Sequence, residues 1–305
     1  MSVTALLASS PGLLIGACLV LGLIVGSFLN VVIHRVPIMM ERQWREQCAE
    51  LDQPDHAATI PAQTAVAKEP FNLVVPRSAC PACRAQITAW QNIPVLSYLF
   101  LRGRCAKCHV HISVRYPIVE ALTGILSAAV AWKLGFAWPM AAGLVLTWFL
   151  VALAFIDIDH QLLPDSLTLP LLWLGLFLSL FAATAGSAPV PVDMRSSIIG
   201  AIAGYLCLWT VYHLFRLLTA KEGMGYGDFK LLAALGAWLG WRMLLPTVLI
   251  AAAVGAVVGI ALLAARRQSR SVPIAFGPFL AAAGWLMLMF GRELVTDYLG
   301  LFTSR

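Results

Sequence analysis

The 305-residue chain carries little charge for its length. Asp, Glu, Lys and Arg make up 12% of the residues, and hydrophobic residues make up 60%. Because a soluble domain is about 25% charged, this composition excludes an ordinary soluble globular protein. Apolar runs interrupted by glycine and proline approach the ~20 residues that cross a bilayer. They lie near residues 11–33, 117–133, 137–156, 166–185, 196–215, 229–241, 244–265 and 274–290. The sequence therefore predicts an all-α polytopic membrane protein with about eight transmembrane helices.

The chain also lacks the common catalytic signatures. It contains no G-x-S-x-G nucleophile elbow, no H-E-x-x-H motif, no Walker loop and no G-x-G-x-x-G motif. Serine hydrolases, zinc proteases of the H-E-x-x-H type and P-loop nucleotidases therefore have no support in the sequence. Any chemistry must come from its few acidic residues or its cysteines.

The positive charge of the chain follows one side of the predicted helices. Residues 35–115 hold ten of the 21 Lys and Arg, and six more fall on the same side, which leaves five on the other. This asymmetry predicts that residues 35–115 are cytoplasmic and that both termini lie outside. Because orientation and contact with anionic membrane lipid account for the net charge of +6, we expect no nucleic-acid partner.

The predicted spans divide the chain into three parts. Residues 1–34 form the first transmembrane helix, residues 35–115 a cytoplasmic segment, and residues 116–305 a membrane-embedded domain. Within the cytoplasmic segment, residues 41–70 are polar and proline-containing and predict mostly loop. Four of the seven cysteines fall within residues 76–116.

These four cysteines have the spacing of a zinc site. Two CxxC pairs, Cys80 with Cys83 and Cys105 with Cys108, are separated by 21 residues. Four thiolates close a tetrahedral shell, so we expect a structural zinc ion without a catalytic role. Disulfides and free thiols are the alternatives, and the first of these is rare in the reducing cytoplasm. His109 and His111 lie beside the last pair and are interpreted as bystanders, because the cysteines already fill the shell.

Aspartates stand where two of the apolar runs meet the cytoplasmic side. Asp157, Asp159 and Asp165 follow the third run, and Asp228 begins the sixth in the segment Gly225-Tyr226-Gly227-Asp228. An ionisable residue at membrane depth costs ~2.5–3.5 kcal/mol and usually marks function. Any one of them alone could instead be a solvated helix cap. Gly225 and Gly227 favour an active-site loop, since glycines allow positive φ or the close approach of another chain.

Two carboxylates that share a proton can hydrolyse a peptide bond. One acts as base on a water molecule, while the other, protonated, donates a hydrogen bond to the scissile carbonyl. Which of the three aspartates near residue 160 would pair with Asp228 does not follow from periodicity.

Four blocks of sequence together resemble the bacterial type IV prepilin peptidases, which are GxGD-type aspartyl proteases of membranes. The blocks are residues 26–37, the two CxxC pairs, residues 157–170 and residues 222–230, and they follow the family order over nearly the whole chain. The resemblance implies Asp157 and Asp228 as the catalytic pair, because the family has an Asp seven residues before the proline that is here Pro164. Nothing specific matches residues 41–70.

The resemblance also implies an activity, its substrates and a cofactor. A prepilin peptidase removes the basic leader of pilin and pseudopilin precursors at the cytoplasmic face of the bacterial inner membrane. It then N-methylates the new amino terminus with S-adenosylmethionine, an activity associated with the cysteine-bearing segment. Glu69, Glu120 and Glu222 are candidate contacts for the basic leader.

Two other readings of the sequence stay open. The chain could be a membrane scaffold or transporter with a zinc docking module, whose Asp157 and Asp228 lie on an ion pathway. It could also be a membrane methyltransferase without protease activity. The first predicts no peptide cleavage. The second predicts methylation that survives the loss of either aspartate, provided that the leader has already been removed.

Overall fold

The computed structural model describes residues 2–51, 71–80, 82–88, 93–184, 189–221, 224–265 and 275–303. Within these ranges the chain is helical, with only two isolated β-bridges. The helices are α1 (Val3–Ser9), α2 (Pro11–Leu51), α3 (Leu96–Phe100), α4 (Arg115–Leu134), α5 (Trp138–His160), α6 (Asp165–Ser179), α7 (Met194–Thr219), α8 (Tyr226–Leu239), α9 (Leu244–Ala265) and α10 (Gly277–Thr303).

These helices confirm the all-α membrane fold. The apolar runs correspond to α2 and to α4 through α10. In the described part of the chain, five helical segments are long and apolar enough to cross a membrane by themselves: α2, α4, α5, α7 and the segment Trp241–Leu262 that contains most of α9. Helix α6 is shorter, and α8 has only 14 residues.

The first long helix extends well beyond the predicted first span. Helix α2 has 41 residues and so is about 60 Å long, roughly twice the thickness of the hydrocarbon core. It passes through Pro37 and continues to Leu51. One end of α2 therefore projects out of the membrane alongside the segment predicted to be cytoplasmic.

The cysteine-bearing segment is attached to this helix by a buried arginine. The guanidinium of Arg35 donates hydrogen bonds to the carbonyl oxygens of Asn72 and Pro76, at 2.8 and 2.6 Å. It also lies over the Phe71 ring, 5.7 Å from the ring centroid. Because an arginine is always charged, these contacts are needed to compensate its burial. The four-cysteine segment therefore begins at a fixed place beside α2.

Helix α8 is the centre of the membrane domain. Except for Lys230, every residue from Asp228 to Leu239 is buried. The helix packs against α6, α7 and α10. Polar side chains join it to two of these neighbours. The Trp238 indole donates to the carbonyl of Leu171 in α6 at 2.8 Å, and the Ser197 hydroxyl in α7 donates to the carbonyl of Ala237 at 2.6 Å.

Small residues let α7 approach α8 closely. A Cβ atom on Gly200 would collide with the carbonyl of Gly236, and one on Gly204 would lie 2.6 Å from the carbonyl oxygen of Leu232. Helix association within membranes depends on such close backbone contact. The position of α8, and with it the position of Asp228, therefore depends on residues that have no side chain.

This contact makes a first prediction. We expect Gly200→Leu to destabilise the protein by about 1–3 kcal/mol, because the new side chain would push α7 off α8. The matched control is Gly16→Leu in α2, where a Cβ atom meets nothing within 4 Å. Thermal unfolding in detergent, followed by circular dichroism, compares the two. Equal losses of stability would contradict the close contact between α7 and α8.

Candidate active site

Asp157 lies near the end of α5 and is bound by a backbone group from the far end of the chain. Its side chain is 5% exposed. The N–H of Gly277 donates to Asp157 Oδ2 at 2.9 Å. Gly277 is the first residue of α10, so its N–H is one of the groups that an α-helix leaves unpaired. The positive end of the α10 dipole is thus directed at the carboxylate.

Gly277 is a site residue that the sequence analysis missed. A Cβ atom at this position would lie 2.5 Å from Asp157 Oδ2 and 3.2 Å from Leu163 Cδ1, so there is no room for a side chain. Its contribution is a backbone N–H, which no residue type identifies. The sequence does contain one indication that a helix begins here. Gly277-Pro278 stands immediately before an apolar run, and proline is favoured in the first turn of a helix.

Asp228 lies in the first turn of α8 and is 6% exposed. Its Oδ1 atom is buried and has no hydrogen-bond partner among the described residues. Buried polar atoms are nearly always hydrogen-bonded, and an unpaired one requires an explanation. A carboxylate oxygen held ready for water and substrate would explain it.

The two aspartates belong to one site. Leu163 packs between the elements that carry them: Cβ positions on Gly227 and Gly277 would lie 2.7 and 3.2 Å from its side chain. The end of α5, the start of α8 and the start of α10 therefore meet at a single buried place.

The other two aspartates of this region are paired with cations. Asp159 forms an ion pair with Arg115 of α4. Asp165 accepts two hydrogen bonds from Lys230 Nζ, at 2.6 and 2.7 Å. The structure thus separates four nearby carboxylates into two that are neutralised by a cation and two that are buried near each other.

The two glycines of the predicted loop play different parts. Gly225 is the N-cap of α8 with φ of −80°, and a Cβ atom there would meet only Asp228 Oδ2, at 3.9 Å. Gly227 lies in the first turn and allows the close approach of Leu163. Neither glycine has a positive φ. The missing side chain therefore matters at Gly227 because it allows close approach, and at Gly225 because it leaves open space beside the carboxylate.

The four predicted zinc ligands lie together in the segment between α2 and α4. The sulfur atoms of Cys80, Cys83, Cys105 and Cys108 all lie within 4.8 Å of one another. The Sγ atoms of Cys80 and Cys108 are 3.7 Å apart, and those of Cys83 and Cys105 are 4.0 Å apart. A disulfide has an S–S bond of about 2.05 Å, whereas a tetrahedron with Zn–S bonds of about 2.3 Å places sulfur atoms about 3.8 Å apart. These distances fit a metal ion and exclude disulfides.

The two halves of the cluster repeat one backbone turn. In the first, the N–H of Cys80 donates to the carbonyl of Ala85 at 2.9 Å, and in the second the N–H of Cys105 donates to that of Val110, also at 2.9 Å. The residue after each CxxC has a positive φ, 55° at Arg84 and 56° at His109. His109 thus occupies a turn position, in agreement with its interpretation as a bystander.

Backbone N–H groups prepare two of the thiols for metal. Those of Cys83 and Ala82 lower the pKa of Cys80, and those of Cys108 and Lys107 lower the pKa of Cys105 to about 6. The thiolate is the form that binds a metal ion, so these N–H groups favour metal binding by Cys80 and Cys105.

Of the three glutamates proposed to contact the leader, the structure describes only Glu120. Glu120 accepts a hydrogen bond from the N–H of Val95 at 2.7 Å and another from the Ser27 side chain. Its carboxylate therefore joins α4 to α2 and to the turn before α3. Glu69 and Glu222 lie outside the described residues.

Comparisons with known proteins agree with this arrangement. Residues 20–134 match the bacterial peptidase A24 N-terminal domain, and residues 144–260 match the type IV leader peptidase family. The chain is 52% identical to a prepilin leader peptidase/N-methyltransferase of Stutzerimonas stutzeri and 52% identical to one of Aeromonas hydrophila. A third relative with this name, from Pseudomonas aeruginosa, is 49% identical. Each alignment covers 96% of both chains.

The search of solved structures gave no match. The two family models nevertheless cover most of the chain, and the similarity to curated relatives extends over nearly all of it. The chain therefore belongs to the type IV leader peptidase family.

Proposed function

We propose that this chain is a membrane aspartyl protease that removes the leader peptides of type IV prepilins and pseudopilins and then N-methylates the new amino terminus. The observation that carries the protease is the buried pair Asp157 and Asp228, with Oδ1 of Asp228 unpaired among the described residues. Family membership and the names of the relatives supply the substrate class and the second activity. The apolar helices make it a multi-pass protein, and its relatives indicate the inner membrane.

The pair would work as a general acid and a general base. One carboxylate takes a proton from water as the water oxygen attacks the scissile carbonyl, while the other, protonated, donates a hydrogen bond to the carbonyl oxygen. A proton then passes to the leaving nitrogen as the C–N bond breaks, which yields a leader carboxylate and a free amine. The Gly277 N–H orients Asp157 throughout. Because the two groups interact, they titrate as a pair.

The zinc site and the aspartates would share the cytoplasmic side. Arg35 attaches the segment that begins at Asn72 to the same helix, α2, whose Val36 packs in one cluster with Ile156, the neighbour of Asp157. Zinc bound by the four cysteines would hold this small segment folded, since so short a segment cannot form a core of its own. The positive-inside rule favours the cytoplasm for this segment, where prepilin leaders lie before cleavage.

The methyl donor, S-adenosylmethionine, has no assigned site in the chain. The described part of the cytoplasmic segment contains α3 and two isolated bridges, which is too little for the parallel sheet of a Rossmann methyltransferase. When bound, the donor would supply the methyl group that the new terminal amine takes up.

The catalytic pair can be tested with shape-preserving variants. We expect Asp157→Asn and Asp228→Asn each to lower the rate of leader release by about 10²–10⁴-fold or more, because an amide cannot exchange the proton. We expect Asp159→Asn and Asp165→Asn to keep most of the activity, since these carboxylates are held by cations. Mass spectrometry of a reconstituted prepilin follows the reaction.

Thermal stability provides a second readout of the same variants. Asp228→Asn should unfold at the wild-type temperature or above it, because it removes a buried carboxyl group whose Oδ1 has no hydrogen-bond partner among the described residues. Asp193→Asn is the matched control, since asparagine caps α7 as well as aspartate does. An Asp228→Asn variant that is stable and still cuts at the wild-type rate would remove Asp228 from the mechanism. A wild-type protein that cuts no leader would favour a scaffold or transporter.

Loss of one cysteine should release the metal. We expect Cys105→Ser to abolish zinc binding, measured by plasma mass spectrometry, and to expose residues 93–115 to limited proteolysis. Cys48→Ser is the control, because Cys48 is an exposed free cysteine on α2 outside the cluster. Retention of zinc by the Cys105→Ser variant would show that the four thiolates do not form the metal site.

Methylation should not depend on the aspartates. With a mature pilin that already has a free terminal amine, we expect Asp157→Asn to transfer labelled methyl groups from S-adenosylmethionine as well as the wild type does. With an uncut prepilin, the same variant should transfer none, because the acceptor amine does not yet exist. Transfer to neither substrate by the wild-type protein would remove methylation from the proposed function.

A further inference from the structure

A groove on the side of the bundle reaches the loop Gly225–Gly227 that precedes Asp228. It is a cavity of about 1020 Å³ between α2 and the first turns of α6 and α8, and residues of α5 also line it. Its longest wall is the face of α2 from Val25 to Trp44. This wall covers 19 residue steps, or about 29 Å at ~1.5 Å per residue.

The groove is continuous with the proposed active site. The loop residues Gly225, Tyr226 and Gly227 line it, as does Leu163. Leu163 is the side chain on which Gly227 and Gly277 pack, and Gly277 binds Asp157. A chain lying in the groove would therefore pass beside Leu163 and the loop Gly225–Gly227, which adjoin the residues that hold the two carboxylates.

The two ends of the groove differ in polarity. Toward Val25 the walls are apolar and include Phe28, Trp148 and Phe149. Toward the other end of α2 they include Gln43 together with the flexible side chains of Met39 and Met40. The polarity of the groove walls changes near Val36, which packs in one cluster with Ile156, the residue before Asp157. The carboxylates thus lie at the level where the groove changes from apolar to mixed.

We propose that this groove seats the precursor substrate in one orientation. The apolar segment that follows the cleavage point would lie along α2 between Val25 and Val36, and the leader would lie against Met39, Met40 and Trp44. This inference rests on the proposed protease function and adds to it the surface that binds the substrate.

The length and shape of the groove suit this occupant. The stretch from Val25 to Val36 covers 11 residue steps, or about 17 Å, which is about three turns of an apolar helix. The start of the substrate helix would therefore be held by the protein and the rest by lipid or by its own partners. Methionine side chains adapt to differently shaped partners. Met39 and Met40 thus suit a site that accepts the leaders of several different precursors.

Photo-cross-linking in an inactive protein tests the location directly. The chain carries Asp228→Asn and, in separate samples, Phe28→p-benzoylphenylalanine, Trp44→p-benzoylphenylalanine or Trp173→p-benzoylphenylalanine. The three native side chains are 52%, 53% and 66% exposed, and Trp173 of α6 lies outside the groove, so it is the matched control. The probe is a full-length prepilin, and mass spectrometry identifies the cross-linked residues.

The expected pattern has a direction. Position 28 should cross-link to the apolar segment after the cleavage point, position 44 to the leader, and position 173 to neither beyond background. Cross-links from position 173 equal to those from positions 28 and 44 would overturn the proposal, as would the reverse order. Cross-links to lipid alone at positions 28 and 44 would show that the groove holds acyl chains.

Kinetics in the active protein separate the two halves of the groove. We expect Phe28→Ala to raise KM for a full prepilin about tenfold and to leave a short peptide that ends soon after the cleavage point unaffected. Trp44→Ala should raise KM for both substrates. Trp173→Ala should change neither by more than about twofold. Equal effects of Phe28→Ala on the two substrates would overturn the assignment of the apolar half.

The two experiments also separate this inference from the function on which it rests. If the wild-type protein cuts prepilin but positions 28 and 44 give no cross-links above the control, the protease stands and the groove assignment fails. If the wild-type protein cuts nothing but the directed cross-links form, the groove binds prepilin and the protease proposal fails.

Discussion

The structure depends on keeping two carboxylates buried near each other inside a bundle of apolar helices. Burial of a charge is expensive unless it is compensated, and two like charges make it more so. Asp157 receives one compensating contact, the N–H at the start of α10, while Asp228 Oδ1 receives none from the described residues. The surrounding packing must therefore supply the stability that this site removes, and the almost fully buried α8 is where most of it is found.

The sequence predicted the features that follow directly from the chemical properties of the residue types. The CxxC spacing predicted a cluster whose sulfur distances fit a zinc ion. Hydropathy predicted the helical membrane fold, and family resemblance, unlike periodicity, selected Asp157 over Asp159 and Asp165. The structure adds a physical difference between them, since Asp159 and Asp165 each have a cationic partner. The catalytic roles themselves stay predictions.

The sequence did not predict features that depend on backbone groups or on how the helices are placed. Gly277 contributes an N–H, and no pattern of residue types shows where that group points. The full length of α2 was also missed, because the polar, proline-containing residues 41–70 predicted mostly loop, whereas α2 continues to Leu51. Pro37 is accommodated within the helix and is itself buried, so tertiary packing overrides the local preference.

The continuity of α2 has a mechanical consequence. A single helix of 41 residues belongs to the lipid-embedded bundle and, through Arg35 near its middle, holds the start of the cysteine-bearing segment. A small tilt of α2 about its packing contact with α4 would change the width of the groove and would move the cysteine-bearing segment at the same time. Bilayer thickness, which sets the tilt of long helices, would then act on the enzyme as a regulator without any ligand.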